Sequence, residues 1–183
     1  MNFKHLLLSI LALFVFFFAT AQEHKQKTNQ YLSAHTPQTW KLNPGDIAPI
    51  FTFKDSKGKK VSFKDFRGKY VFIEIWSTTC GSCIRQFPYL NQLEEDMKGK
   101  NISFVSISIE QNWDIWQNML KKHNLKGHQW NIGDAKNFMV DYEVWGLPAF
   151  IVLDKEGKIL YIRRRLHPSN PNTIKVLNAL EGI

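Results

Sequence analysis

The stretch that decides the fold is Tyr70-Val-Phe-Ile-Glu-Ile-Trp-Ser-Thr-Thr-Cys80-Gly-Ser-Cys83, followed by apolar residues at helical spacing from Ile84 to Met97. Residues 70–76 form a short, nearly continuous apolar run and read as a buried strand. Ile84, Phe87, Leu90, Leu93 and Met97 fall on one stripe of a helix. Pro88 interrupts that stripe and removes one backbone donor, which predicts a kink. Gly99 is a natural stop. The two cysteines, the only ones in the chain, thus sit where a strand turns into a helix. Unpaired N–H groups and the helix dipole favour a thiolate at that place, lowering the pKa of the first cysteine and making it nucleophilic.

Three other readings of the pair are weaker. A structural staple across so short a loop is worth roughly 2 kcal/mol before strain, for a loop of about four residues. Half of a zinc site would need two of His123, His128 and His167, which lack ligand spacing. Haem attachment needs histidine after the second cysteine, where Ile84 stands. A dithiol that closes and reopens is the favoured chemistry.

Outward from the motif, the chain reads as one α/β domain over residues 44–183. Ile50–Lys54 and Lys60–Phe63 flank Asp55-Ser-Lys-Gly58 as an N-terminal β-hairpin. Asp65 to Gly68 reads as a helical turn. Ile102–Ile109 reads as a strand, and Trp113, Trp116, Met119 and Leu120 mark an amphipathic helix to about His123. A short strand around Gln129–Trp130 and a helix from Asp134 to Tyr142 follow. Phe150–Asp154 and Lys158–Arg163 form a second hairpin, and a helix from Asn170 to Leu180 ends the chain. Helices between strands call for parallel crossovers, and terminal hairpins add antiparallel edges. The expectation is a mixed central sheet with helices on both faces.

Upstream, Lys4, the apolar run Leu6 to Ala19 and the small-x-small Ala19-Thr20-Ala21 read as a secretory signal over residues 1–21, with an uncleaved membrane anchor as the alternative. Residues 22–43 are polar and read as a spacer. The formal net charge is +8. Its basic residues are scattered apart from Arg163-Arg164-Arg165, so nucleic-acid binding is not expected. The triple arginine reads as a solvated strand edge, with an anionic partner as the sharper idea.

Four further features give the chain a resemblance to the TlpA/ResA group of exported thioredoxin-like thiol–disulfide oxidoreductases. Gly45-Asp-Ile-Ala-Pro-Ile-Phe51 resembles its G-x-x-A-P-x-F opening. Ile75-Trp76 with Cys80-Gly-Ser-Cys83 matches the strand, tryptophan and CxxC. Phe87-Pro88 falls where the group has its helix proline. Val144-Trp-Gly-Leu-Pro-Ala-Phe150 with Leu153-Asp-Lys-Glu-Gly157 matches the proline loop and its hairpin. Asn101 to Asn131 corresponds to the strand–helix insertion of the group.

The resemblance implies a thioredoxin-like fold and a cis Leu147–Pro148 bond facing the cysteines. It makes Cys80 the attacking thiolate and Cys83 the resolving one. Glu74 matches the buried carboxylate that handles protons in thioredoxin, and burial raises such a pKa. Trp76, Thr79, Leu147 and Pro148 become the substrate-contacting candidates. The implied partners are a disulfide-containing protein substrate and a membrane thiol donor of the DsbD/CcdA kind, with a role in cytochrome c maturation as one destination. No dissociable cofactor and no metal is implied, the protein is expected in the periplasm, and a monomer is expected. Three positions depart from the group: Gln86 stands for an acidic residue, Thr79 for an aromatic one, and Gly81-Ser82 for the commoner Gly-Pro or Glu-Pro. Two other functions compete. A peroxide-reducing relative would want a T-x-x-C loop, which Thr79-Cys80 lacks despite Arg85. A non-catalytic binding module would have no use for an intact cysteine pair.

Overall fold

The computed structural model describes Gln22 and residues 41–135, 137–162 and 166–183. The expected signal, most of the spacer, Trp40 and Arg163–Arg165 lie outside the described residues. Residues from Lys41 to Ile183 form one compact unit.

Its centre is β3 (Tyr70–Trp76), in which every residue is buried. A strand sealed on both faces and both edges favours apolar residues, which explains the run in the sequence; Glu74 is the one carboxyl side chain that interrupts it. β3 pairs in parallel with β4 (Ile102–Ser108) and antiparallel with β6 (Ala149–Leu153). β5 (His128–Asn131) lies parallel beside β4. The antiparallel rims are β1 (Phe53–Asp55) with β2 (Lys60–Val61) on one side and β7 (Ile159–Tyr161) on the other. The seven strands run in the order β2-β1-β5-β4-β3-β6-β7.

The two parallel steps are bridged by α1 (Gly81–Asp96) and α2 (Trp113–Lys122). Both pack on the face that carries Phe72 and Trp76, as does α4 (Pro171–Asn178): Leu90, Leu93 and Leu177 cluster with Phe72, and Phe87 and Trp116 with Trp76. Val71, Ile73 and Ile75 point the other way, toward Phe53, Phe63, Phe138 and Tyr142. That face is covered by the short α3 (Phe138–Asp141) and a 3-10 turn over Phe63–Phe66. The expected mixed sheet with helices on both faces is the observed one.

Side-chain caps set the helix starts. Asn112 Oδ1 accepts from the Ile115 N–H at 3.0 Å and opens α2. Lys121 and Lys122 complement the dipole in its last turn. Asn170 caps α4, with Pro171 in its first turn.

Several boundaries differ from the sequence expectation. The first strand begins at Phe53, because residues 50–52 find no ladder partner and Ile50 is exposed. Phe63 belongs to the 3-10 turn, drawn there by the Ser62–Asp65 capping box. α1 starts at Gly81, three residues earlier than the apolar stripe indicates, since Cys80 is itself the cap. It continues through Pro88 to Asp96. The third helix shrinks to Phe138–Asp141, because Gly133 at φ +52° turns the chain before it.

Candidate active site

Cys80 and Cys83 are joined in a disulfide at the N-terminus of α1, with Cα atoms 5.3 Å apart. The local sequence dictates this geometry. Cys80 takes the extended N-cap conformation, and its Sγ accepts the Cys83 N–H at 3.2 Å. Serine or aspartate usually fills that place, and here sulfur does. The two sulfurs are unequal: Cys83 is 0% exposed, while Cys80 is only half-buried. An incoming disulfide can therefore meet Cys80 alone. A thiolate on Cys80 would keep the Cys83 N–H as a donor and sit at the positive end of a 16-residue helix.

Across from the cysteines runs the proline loop, with the Leu147–Pro148 bond cis. Leu147 packs against the cluster that holds Cys83, Trp76 and Phe87. Ser82 ties the two halves of the site together, donating from Oγ to the Leu147 carbonyl oxygen at 3.3 Å while lying 3.2 Å from Cys80 Sγ. The structure thus brings Cys80, Cys83, Leu147 and Pro148 to one place. Thr79 is exposed beside Cys80, its hydroxyl 3.1 Å from that of Ser77. Trp76 needs correcting as a substrate contact. It is 0% exposed and packs edge-on against Phe87 at 5.1 Å, forming the wall behind the cysteines. Gln86 accepts from the Ser169 N–H at 3.1 Å, which anchors α1 to the loop before α4.

Glu74 lies on β3 two residues before Trp76, on the face that α1 covers. It is 1% exposed. Its Oε2 accepts from Ser106 Oγ at 2.9 Å, while Oε1 has no hydrogen-bond partner among the described residues. Burial pushes its carboxyl up to about 8; the Ser106 hydrogen bond opposes this and the charge of Glu94 adds to it. A carboxyl of that kind exchanges its proton near neutral pH.

Sequence reasoning misses four residues here. Ser82 reads there as a variable filler of the motif. Ser106 reads only as a polar residue in a strand, since its pairing with Glu74 depends on register. Glu94 stands eleven residues after Cys83, on the stripe Cys83, Phe87, Leu90, Glu94 and Met97. That spacing is a readable sign of a carboxyl turned inward. Glu110, after β4, accepts a short hydrogen bond from Thr78 Oγ1, and this bond holds its carboxyl below the usual range. Among the described residues, no three metal-ligating side chains gather and no helix is long and apolar enough to cross a membrane.

The chain is similar to known proteins in sequence and in fold. The Redoxin family pattern matches residues 43–180. A thiol-disulfide oxidoreductase ResA from Bacillus thuringiensis subsp. konkukian is 32% identical over 120 residues, covering 66% of this chain and 69% of that one. The ResA of Bacillus subtilis is 26% identical over 122 residues, covering 66% and 67%. Among solved structures, the thioredoxin domain of a thiol-disulfide oxidoreductase from Bacteroides vulgatus superposes with a TM-score of 0.68 at 28% identity, covering 75% of this chain and 96% of that one.

Proposed function

From the premise that this chain belongs to the Redoxin family and is a thioredoxin-like thiol–disulfide oxidoreductase, we propose that it reduces disulfides in extracytoplasmic proteins through a Cys80/Cys83 cycle. The observation that carries this reading is the asymmetry of the pair: one half-exposed sulfur capping a helix, one fully buried sulfur behind it.

In the cycle, the Cys80 thiolate attacks one sulfur of a substrate disulfide. That S–S bond breaks, a mixed disulfide forms, and the first substrate thiolate leaves. Cys83 gives its proton to Glu74, attacks Cys80 Sγ and expels the second substrate thiolate. Two electrons have then passed to the substrate, and the protein is left with the Cys80–Cys83 disulfide. Two electrons from a membrane thiol donor of the DsbD/CcdA kind restore the dithiol. Thr79, Leu147 and Pro148 border the mixed disulfide and meet the substrate chain. Residues 1–21 act as the export signal, residues 22–43 as a spacer, residues 44–183 form the catalytic domain, and the protein works as a monomer. Apocytochrome c awaiting haem is one substrate this chemistry suits.

The test is the reduction potential of the pair, equilibrated against graded dithiothreitol or glutathione, with Cys80→Ser as the control. A value near or below roughly −220 mV supports a reductant fed by a membrane donor. A value near roughly −120 mV would reverse the direction of electron flow. Disulfide-reducing activity that survives in Cys80→Ser would remove the cycle.

A further inference from the structure

Glu74 is sealed inside the protein, so a proton that it takes up has no direct way out. The polar atoms around it are arranged to supply one. Glu74, Ser106 and Gln129 lie in cross-strand register on β3, β4 and β5. Gln129 is 8% exposed; its Nε2 donates to the Lys126 carbonyl oxygen, and its Oε1 has no partner among the described residues. Glu94 stands on α1, the helix that packs on this face of the sheet. Its Oε1 is likewise buried and unpartnered among the described residues, and its charge is felt at Glu74. The same carboxyl lies against Gly127 in the turn between α2 and β5, so close that an added Cβ would sit 2.7 Å from Oε1 and 2.9 Å from Oε2. Gly127 and Lys126 are exposed.

Three acceptor oxygens without donors, two of them on carboxyls, are costly unless a proton resides among them. We propose that Glu94 is a positioning residue for the exchange cycle, acting through Glu74: it passes the proton that Glu74 takes from Cys83 to solvent beside Gly127 and Lys126. This rests on the dithiol cycle above. The step balances without a further reactant. The Cys83 proton moves to the Glu74 carboxylate, the Glu74 proton to Glu94, and the Glu94 proton to water; reduction runs the path in reverse.

The groups shown at the two carboxyls are Lys126 from the turn, Ser106 and Gln129 in register on the sheet, and Phe150 opposite Glu74 on β6. Burial pushes Glu94 up to about 7, and Lys126 draws it down. Both carboxyls therefore change charge near neutrality, as a relay requires.

The experiment mixes the reduced full chain with dithio-bis-nitrobenzoate. Attack by Cys80 releases one coloured thiolate, and resolution by Cys83 releases a second, so the two steps appear as separate absorbance phases. The expected result for Glu94→Gln is an unchanged first phase and a second phase slowed about tenfold. Removing the Glu94 charge lowers the pKa of Glu74, so the pH profile of the second phase moves toward acid. Glu94→Asp restores most of the rate. Wild-type rates and profile in Glu94→Gln would overturn the role of Glu94 and leave the cycle standing. Equal slowing of both phases with an unmoved profile would make Glu94 merely structural. A wild-type protein with no first phase would overturn the cycle itself. Carboxyl-carbon NMR gives a test without a variant: Glu74 and Glu94 should titrate as a coupled pair. Independent single titrations would overturn the pairing.

Discussion

Ser82 has one hydroxyl proton and two acceptors within reach, the Leu147 carbonyl at 3.3 Å and Cys80 Sγ at 3.2 Å. In the disulfide, sulfur is a poor acceptor and the carbonyl takes the proton. Reduction puts a charge on Cys80, and a charged acceptor makes the stronger hydrogen bond. The hydroxyl should then turn to the thiolate. Ser82→Ala removes this donor while leaving the Cys83 N–H in place, so the Cys80 thiol pKa should rise by up to about one unit. The pH dependence of iodoacetamide alkylation in the reduced protein measures this directly. An alkylation profile that stays put would mean that Ser82 contributes nothing to stabilising the Cys80 thiolate. Gly81-Ser82 departs from the Gly-Pro or Glu-Pro of related motifs, and proline at position 82 could not make either contact.

At the scale of elements, α1 is aligned by the stripe Cys83, Phe87, Leu90, Glu94 and Met97, four of whose members are buried. The turn from α2 to β5 is shaped around the remaining one. Gly127 holds φ at +66°, and any Cβ there meets the Glu94 carboxylate. Gly127→Ala should therefore cost about 1–2 kcal/mol in urea denaturation from backbone strain, with a steric part added. In a Glu94→Ala background the steric part should vanish, so the two substitutions should show a coupling energy. Strict additivity would mean that Glu94 swings clear at no cost. The same helix shows what is legible in the sequence. Strand β3, the position of the cysteines and the apolar face of α1 follow from periodicity and composition. Glu94 stands in plain view but at a position where an apolar residue is expected, and Leu93 beside it offers a competing stripe. Ser106 and Gln129 are not legible as partners of Glu74, because strand register across β3, β4 and β5 is set by three-dimensional packing. Burial of Trp76 is equally hidden, since its cover comes from Phe87 on α1 and Trp116 on α2.

For the whole molecule, the two inward carboxyls make stability depend on pH in an unusual direction. Most acidic residues are held below their ordinary pKa in a folded protein, and stability then falls on acidification. Burial here raises Glu74 to about 8 and Glu94 to about 7 from 4.5. Between those limits the folded chain keeps protons that the unfolded chain has released, so unfolding is favoured as pH rises. Their contribution is fully present below about pH 4.5 and is lost as pH climbs through the folded values. Two groups act the other way and bound the effect. His128, lowered by burial, adds stability as pH rises toward 6.5, and Glu110 adds stability above its lowered range. Glu110 is only partly buried and counts for little beside Glu74. A tenfold difference in proton affinity between folded and unfolded chains is worth about 1.4 kcal/mol. The oxidised protein should therefore lose on the order of 2–4 kcal/mol of unfolding free energy between about pH 5 and about pH 8. Glu74→Gln, which mimics the protonated carboxyl, should flatten most of that slope and exceed wild type in stability at the alkaline end. Urea titrations at graded pH would show it. A wild-type curve that is flat or rises across this window would mean that burial does not raise the proton affinity of Glu74, leaving its carboxylate too weak a base for the Cys83 thiol.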